Sequence, residues 1–320
     1  MSIPTDENQF MARAGGMRLF GAGAFLTAQL GAFSSSRKLN NLATSNHYEP
    51  VAGDAREKLL TFGRVSDQHM SNGKMLFGAP FLKAALKSGR KKVRVSSSGL
   101  ELAREALEAT RELAECAGAG LFLISGSLLG PVREGELLAH DYDLDFGVFS
   151  DDRGMAKLVQ FLGADACFEL TKVFNVTPEL SLYNSFLKDL VGRPLKYTIC
   201  YRGTVTIDIF VHIAHEGTVY HGTDRNVWLN SPFGISTFDF SGKSYLVPDN
   251  YERYLEENYG NWHEPVRDYH CATDTPNSGT VVSYRAFVHA AKNYSYFRQT
   301  GDLRWAGLIH GQIQTMQRAI

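Results

Sequence analysis

Residues 121–149 read LFLISGSLLGPVREGELLAHDYDLDFGVF. An apolar run ends in a small Gly126-Ser127 turn, and an Asp-rich turn then enters a second strand. Side chains two apart on a strand share a face, so Asp143 and Asp145 point one way while Leu144 and Phe146 point the other. Two carboxylates aimed at one point suit Mg²⁺, which is held by one or two carboxylates together with substrate phosphate oxygens. A third acid lies downstream in TVTIDIFV (204–211). There Val205, Ile207 and Ile209 alternate with Thr204, Thr206 and Asp208, the period of a half-buried strand. An acid flanked by Ile on both sides is costly unless it is paired or bound to metal.

Paired Asp residues near a turn are commonly solvated loop acids or helix caps. The combination is more specific than its parts. Gly-Ser after a strand, then DxD, then a lone Asp on another strand is the pattern of the nucleotidyltransferase superfold. In that pattern the Gly126 and Ser127 amides cradle a phosphate and the acids hold metal.

The segment GSLLGPVREGELLAHDYDLDFGV further resembles the signature of the LicD/fukutin family of phosphotransferases, a G-[ST]-x-L-G-x-x-R stretch followed by spaced acids. Gly126, Ser127, Leu129, Gly130 and Arg133 fill the first part, and Asp141, Asp143 and Asp145 the second. IDIF at 207–210 is similar to the family's later acidic block. VPDNYERYLEENYGNWHEPV (247–266) resembles its closing segment, through Tyr259, Gly260, Trp262 and Pro265, and Pro276-Asn277 is similar to a Pro-Asn of fukutin-like members. Leu138-Ala139-His140 and Pro131 depart from the family's usual residues without removing a ligand.

The resemblance implies an α/β, nucleotidyltransferase-like mixed sheet flanked by helices. It also implies transfer of a phosphorylated small group, an alditol phosphate or phosphocholine, from a CDP-linked donor to a glycan hydroxyl, with release of CMP, in cell-surface glycan synthesis. Asp143, Asp145 and Asp208 would hold Mg²⁺, or Mn²⁺ in its place. Arg133 would fork onto a donor phosphate. Either Asp141 or Asp208 would accept the proton of the attacking hydroxyl. Two other classes fit the same residues: a nucleotidyltransferase that releases pyrophosphate, and an inactive glycan- or nucleotide-binding protein that retains the fold. Ser127 has no accompanying His-acid pair at a recognisable spacing, which argues against a serine hydrolase.

Composition bounds the rest. With 33 basic and 34 acidic residues the net charge is −1, so nothing in the balance points to nucleic acid. Cys116, Cys167, Cys200 and Cys271 lack C-x-x-C spacing, which reads as reduced thiols in a cytoplasmic setting. His270-Cys271, near His263, reads as a polar turn.

Residues 1–95 read as a mostly helical or loop region, 96–277 as the catalytic domain and 278–320 as a helical segment packed on it. Within the first, 17–33 reads as a buried or interfacial amphipathic helix, too short to span a bilayer. Residues 34–46 read as a loop, and the basic cluster 83–94 as a solvated face or a contact for an anionic membrane surface, hence peripheral association at the inner face. Ser98 and Glu101 form a capping box opening a helix with Leu102, Ala106, Leu113 and Ala117 inside, closed by Gly118 and Gly120. A second helix is expected from Ser150 with Leu158, Val159 and Leu162 inward. Two more are expected over 281–298 and 303–319.

Overall fold

The computed structural model describes residues 97–319, except 140, 142, 267, 268, 270, 272 and 273. The readings of the amphipathic run, the Ser/Asn loop and the basic cluster lie outside the described residues. The chain divides after Gly279 into two compact units. The first contains a mixed sheet flanked by helices, as the sequence predicts.

Its first helix, α1 (Ser97–Ala117), buries Ala106, Leu107, Thr110, Ala114 and Ala117, while Leu102 and Leu113 are half-buried. The inner stripe is thus rotated by about one residue from the expected one. The described helix already includes Ser97, the residue before Ser98. Gly118 closes the helix with a left-handed φ of 71°, and its amide donates to the Glu115 carbonyl.

Next come β1 (Phe122–Leu123), α2 (Ser125–Glu134), β2 (Asp143–Phe149) and α3 (Met155–Ala164). Helix α3 starts at Met155, later than expected, because Asp152 spans the preceding turn. One Asp152 oxygen accepts from the Met155 amide and the other from the Gly120 amide. Strands β3 (Phe168–Asn175), β4 (Pro194–Tyr201) and β5 (Val205–His215) follow, with the short helix α4 (Pro178–Tyr183) between the first two. Then come β6 (Thr218–Gly222), β7 (Val227–Asn230), β8 (Ile235–Phe240), β9 (Lys243–Pro248), helix α5 (Tyr251–Tyr259) and β10 (Ser278–Gly279).

The sheet runs β10-β7-β6-β5-β2-β1-β9-β8, with β4 and then β3 branching from β5. Strand β5 pairs in parallel with β2 along one edge; its other edge is shared by β4 (205–210) and β6 (213–215). That sharing makes β5 the centre of the unit, and it corrects the half-buried reading: from Ile207 to Ile213 every residue is buried, Asp208 included. Helix α1 packs on α3, α2 on β2, and α5 on β7, β9 and α2. Gly147 in β2 has no room for a Cβ, because the Phe122 ring of β1 lies against it.

The second unit contributes two helices at the expected places, α6 (Tyr284–Thr300) and α7 (Leu303–Arg318), joined at Gly301 with φ 81°. The side chains of Ser283 and Asp302 cap them. No helix among the described residues is long and apolar enough to cross a membrane.

Candidate active site

The parallel pairing of β2 with β5 sets Asp145 directly beside Asp208, with Asp143 one pleat away. Carboxylate oxygens of Asp143, Asp145 and Asp208 lie within 4.8 Å of one another. All are hard oxygen donors without a thiol or imidazole among them, the donor chemistry of Mg²⁺ or Mn²⁺ and not of zinc. The residues therefore fit a hard divalent cation.

Helix α2 begins at the edge of this cluster. The Gly126-Ser127 turn of the sequence reading is in fact the first turn of that helix, entered through Ser125, whose φ of 49° is a strained value for a residue with a Cβ. The first amides of a helix have no partner within it and point outward from its start. Gly126 is required there, since a Cβ would overlap the Asp141 carboxylate. The Ser127 hydroxyl accepts from the Asp145 amide at 2.8 Å, tying the helix start to the acidic strand.

Asp141 precedes β2, so it does not share the strand face. Its carboxylate still reaches the cluster and hydrogen bonds to Asp143. Arg133, at the end of α2, lines the same cavity; its guanidinium donates to the Trp262 carbonyl at 3.2 Å and pairs with Glu134 at 2.7 Å. The closing segment is thereby joined to the signature. Gly260 ends α5 with a left-handed φ of 67°, turning the chain so that Tyr259 and Trp262 both form cavity wall. The Asn277 amide donates to Asn258 in α5 at 2.8 Å, which anchors the far end of that wall.

The cavity has a volume of about 430 Å³ and carries the acids together with Gly126 and Arg133 on its lining; Ser127 is not part of it. This size is within the range of small-molecule sites.

The acids cannot all be ionised cheaply. Burial, followed by the charge and hydrogen bond of Asp141 and the charge of Asp208, pushes the Asp143 carboxyl up to about 8. Burial, followed by the charges of Asp143, Asp208 and Asp141, pushes Asp145 well above the usual carboxylate range. Lys196 acts in the opposite direction on both. A bound cation would relieve that repulsion.

Sequence reasoning missed Lys196 and Thr198. Lys196 Nζ lies 2.5 Å from Asp208 Oδ2, and Thr198 donates to Asp208 Oδ1 at 2.6 Å. The signal is present in PLKYTICY (194–201), where Lys196, Thr198 and Cys200 alternate with the buried Leu195, Ile199 and Tyr201. Only the antiparallel register, Thr198 opposite Asp208, shows what that polar face meets. His263 stacks on Trp262, with ring centroids 3.8 Å apart. All four cysteines are free thiols.

Comparison with known proteins bears on this geometry. Residues 118–250 match the model of the family described as LicD/FKTN/FKRP, nucleotidyltransferase domain. The LicD-family match thus contains the helix start, all four acids, Lys196 and Thr198, and it ends just before α5. The chain is also similar to the ribitol 5-phosphate transferase FKRP of Mus musculus, at 25% identity over 156 residues covering 46% of this chain and 28% of that protein. The Homo sapiens protein of the same name matches with the same identity and coverage. The chain therefore spans less than a third of the length of these curated relatives.

Proposed function

We propose that this protein is a Mg²⁺-dependent phosphotransferase that moves an alditol phosphate or phosphocholine from a CDP-linked donor to a glycan hydroxyl and releases CMP. The observation that carries this reading is the convergence of Asp143, Asp145 and Asp208 within 4.8 Å on a cavity that also holds a helix start and Arg133. The name of the FKRP relatives favours an alditol phosphate as the group transferred.

In this reading Asp143, Asp145 and Asp208 would hold the metal, which would supply positive charge to neutralise the diphosphate. The helix-start amides beside Gly126 and the guanidinium of Arg133 orient the phosphates. The acceptor oxygen attacks the phosphorus that bears the alditol or choline, the bond from that phosphorus to the CMP oxygen breaks, and the acceptor proton passes to a carboxylate. Asp141 suits that last role better than Asp208. Both Asp208 oxygens already accept hydrogen bonds from Lys196 and Thr198 and in this reading Asp208 also faces the metal, whereas Asp141 lines the same cavity from outside the metal-holding trio. Attack at the α-phosphorus of an NTP, with the bond to the β-phosphate breaking and pyrophosphate leaving, would give the nucleotidyltransferase outcome instead.

The test is product analysis with Mg²⁺ and CDP-ribitol, CDP-glycerol, CDP-choline or NTPs, wild type beside Asp143→Asn/Asp145→Asn. CMP released from one CDP donor and lost in the double variant is the expected result. Pyrophosphate released from an NTP would move the protein to the nucleotidyltransferase class. Nucleotide binding without any product would leave it a binding protein.

A further inference from the structure

Asp208 is the metal-cluster acid whose two oxygens both accept from side chains of the neighbouring strand, Oδ2 from Lys196 and Oδ1 from Thr198. A cation bound through Asp208 Oδ2 would have to share it with an ammonium or displace it, and one bound through Oδ1 would still meet the charge of that ammonium. The ammonium is well kept where it is. Its side chain is only 14% exposed, and Nζ lies over the Phe210 ring at 4.5 Å and near the Phe174 ring at 5.7 Å. Aromatic faces stabilise a positive charge without taking its hydrogen-bond donors. Lys196 also lines the cavity, and its flexible four-carbon stem lets Nζ turn from Asp208 toward a ligand there.

Two charges of one sign within a few ångströms oppose each other strongly in a partly buried site. Lys196 therefore disfavours a divalent cation that arrives alone. A diphosphate reverses the balance, because it brings negative charge that can take the ammonium while its oxygens help to coordinate the metal.

We propose that Lys196 is a built-in counter-ion that holds Asp208 against a lone divalent cation and passes to the diphosphate of an arriving nucleoside diphosphate ligand, so that metal and donor are taken up together. This rests on the reading of the site as one for a divalent cation and a CDP-type donor, but it concerns binding and not turnover. Linkage makes the coupling reciprocal: the metal tightens the nucleotide by the same factor as the nucleotide tightens the metal.

The experiment is Mn²⁺ binding followed by electron paramagnetic resonance, and CDP binding followed by calorimetry, each with and without the other ligand. Wild type is compared with Lys196→Met and Lys196→Gln, and circular dichroism and Tm certify each fold. Gln keeps a donor for Asp208 without the charge, so it carries the test if Met does not fold. Wild type should bind Mn²⁺ on the order of tenfold more tightly with CDP present. Both neutral variants should bind Mn²⁺ alone on the order of tenfold more tightly than wild type, and CDP alone more weakly. A folded variant that binds Mn²⁺ alone no better than wild type overturns the role of Lys196 while leaving the proposed reaction standing. Failure of all three proteins to bind Mn²⁺, with or without CDP, overturns both.

Discussion

Asp208 and His212 are one helical-wheel-free comparison on a single strand: four residues apart on β5, on the same face, and both buried. Asp208 is met by an ammonium and a hydroxyl. His212 is met by rings: Phe122 at 4.9 Å, Phe233 at 6.1 Å and a stacked His221 at 4.4 Å. Its Nδ1 faces the Phe210 carbonyl at 3.1 Å, so Nδ1 carries the proton, and its Nε2 is buried without a partner. Burial pulls His212 down to about 3 and His221 well below its ordinary value, the charge of His212 adding to the effect on His221. The lesson is that one strand face supports a charged end and a neutral end, and neighbours decide which is which.

The largest expected effect comes from breaking the charged end. Asp145→Asn should lower CMP release by about 10³-fold, the scale of losing a central electrostatic contact in phosphoryl transfer. The same variant should have an equal or higher Tm at pH 8 without divalent cation, since one of the mutually repelling acids is gone. A fall in both activity and Tm would instead make Asp145 a structural residue.

The pH dependence of stability sharpens the comparison, because the two ends have opposite signs. Asp143 has its folded pKa raised to about 8 from an ordinary 3.8, so the folded state binds more protons and stability is lost as pH rises between those values. His212 is lowered from 6.5 to about 3, so the unfolded state binds more protons and stability is lost as pH falls through that window. The two slopes oppose each other below about pH 6.5, and the carboxylates act alone above it. Without divalent cation, denaturant titrations from pH 6.5 to 8.5 should show stability falling by about 1–2 kcal/mol. Mg²⁺ should flatten that limb; a limb that Mg²⁺ leaves unchanged would separate these acids from metal binding.

Gly126→Ala tests the helix start beside the acids. The added Cβ displaces the Asp141 carboxylate, so donor turnover should drop by about 10²-fold with Tm changed by only a few degrees. The smallest effect belongs to the neutral end. His212→Phe keeps a ring in the aromatic cage and removes the partnerless nitrogen, so stability at pH 7 should change by about 1 kcal/mol or less. Its stability between pH 4 and 6 should depend less on pH than that of wild type, measured by the same titrations.

Much of the acidic site was legible in the sequence because its signals are local. The two-residue period put Asp143 and Asp145 on one face, and the Ile residues around Asp208 announced a buried acid needing a partner. The α6–α7 hairpin was legible for the same reason, from periodic helices divided by Thr300-Gly301-Asp302. The bond from the Asp145 amide to the Ser127 hydroxyl was not legible, since a contact 18 residues away leaves no trace in spacing.

By itself, then, the sequence determined which residues are candidates for the chemistry: the acids, the small residues before them and Arg133 are recognisable within stretches of a few residues, where strand pleat and turn preference act. Only the tertiary structure decided what each of those groups meets. Strand register brought Lys196 and Thr198 to Asp208, ring packing made His212 neutral, and chain closure set the Trp262 carbonyl on Arg133, 129 residues away. Ionisation and binding depend on distances between groups that the chain order leaves far apart, and those distances exist only once the sheet has assembled.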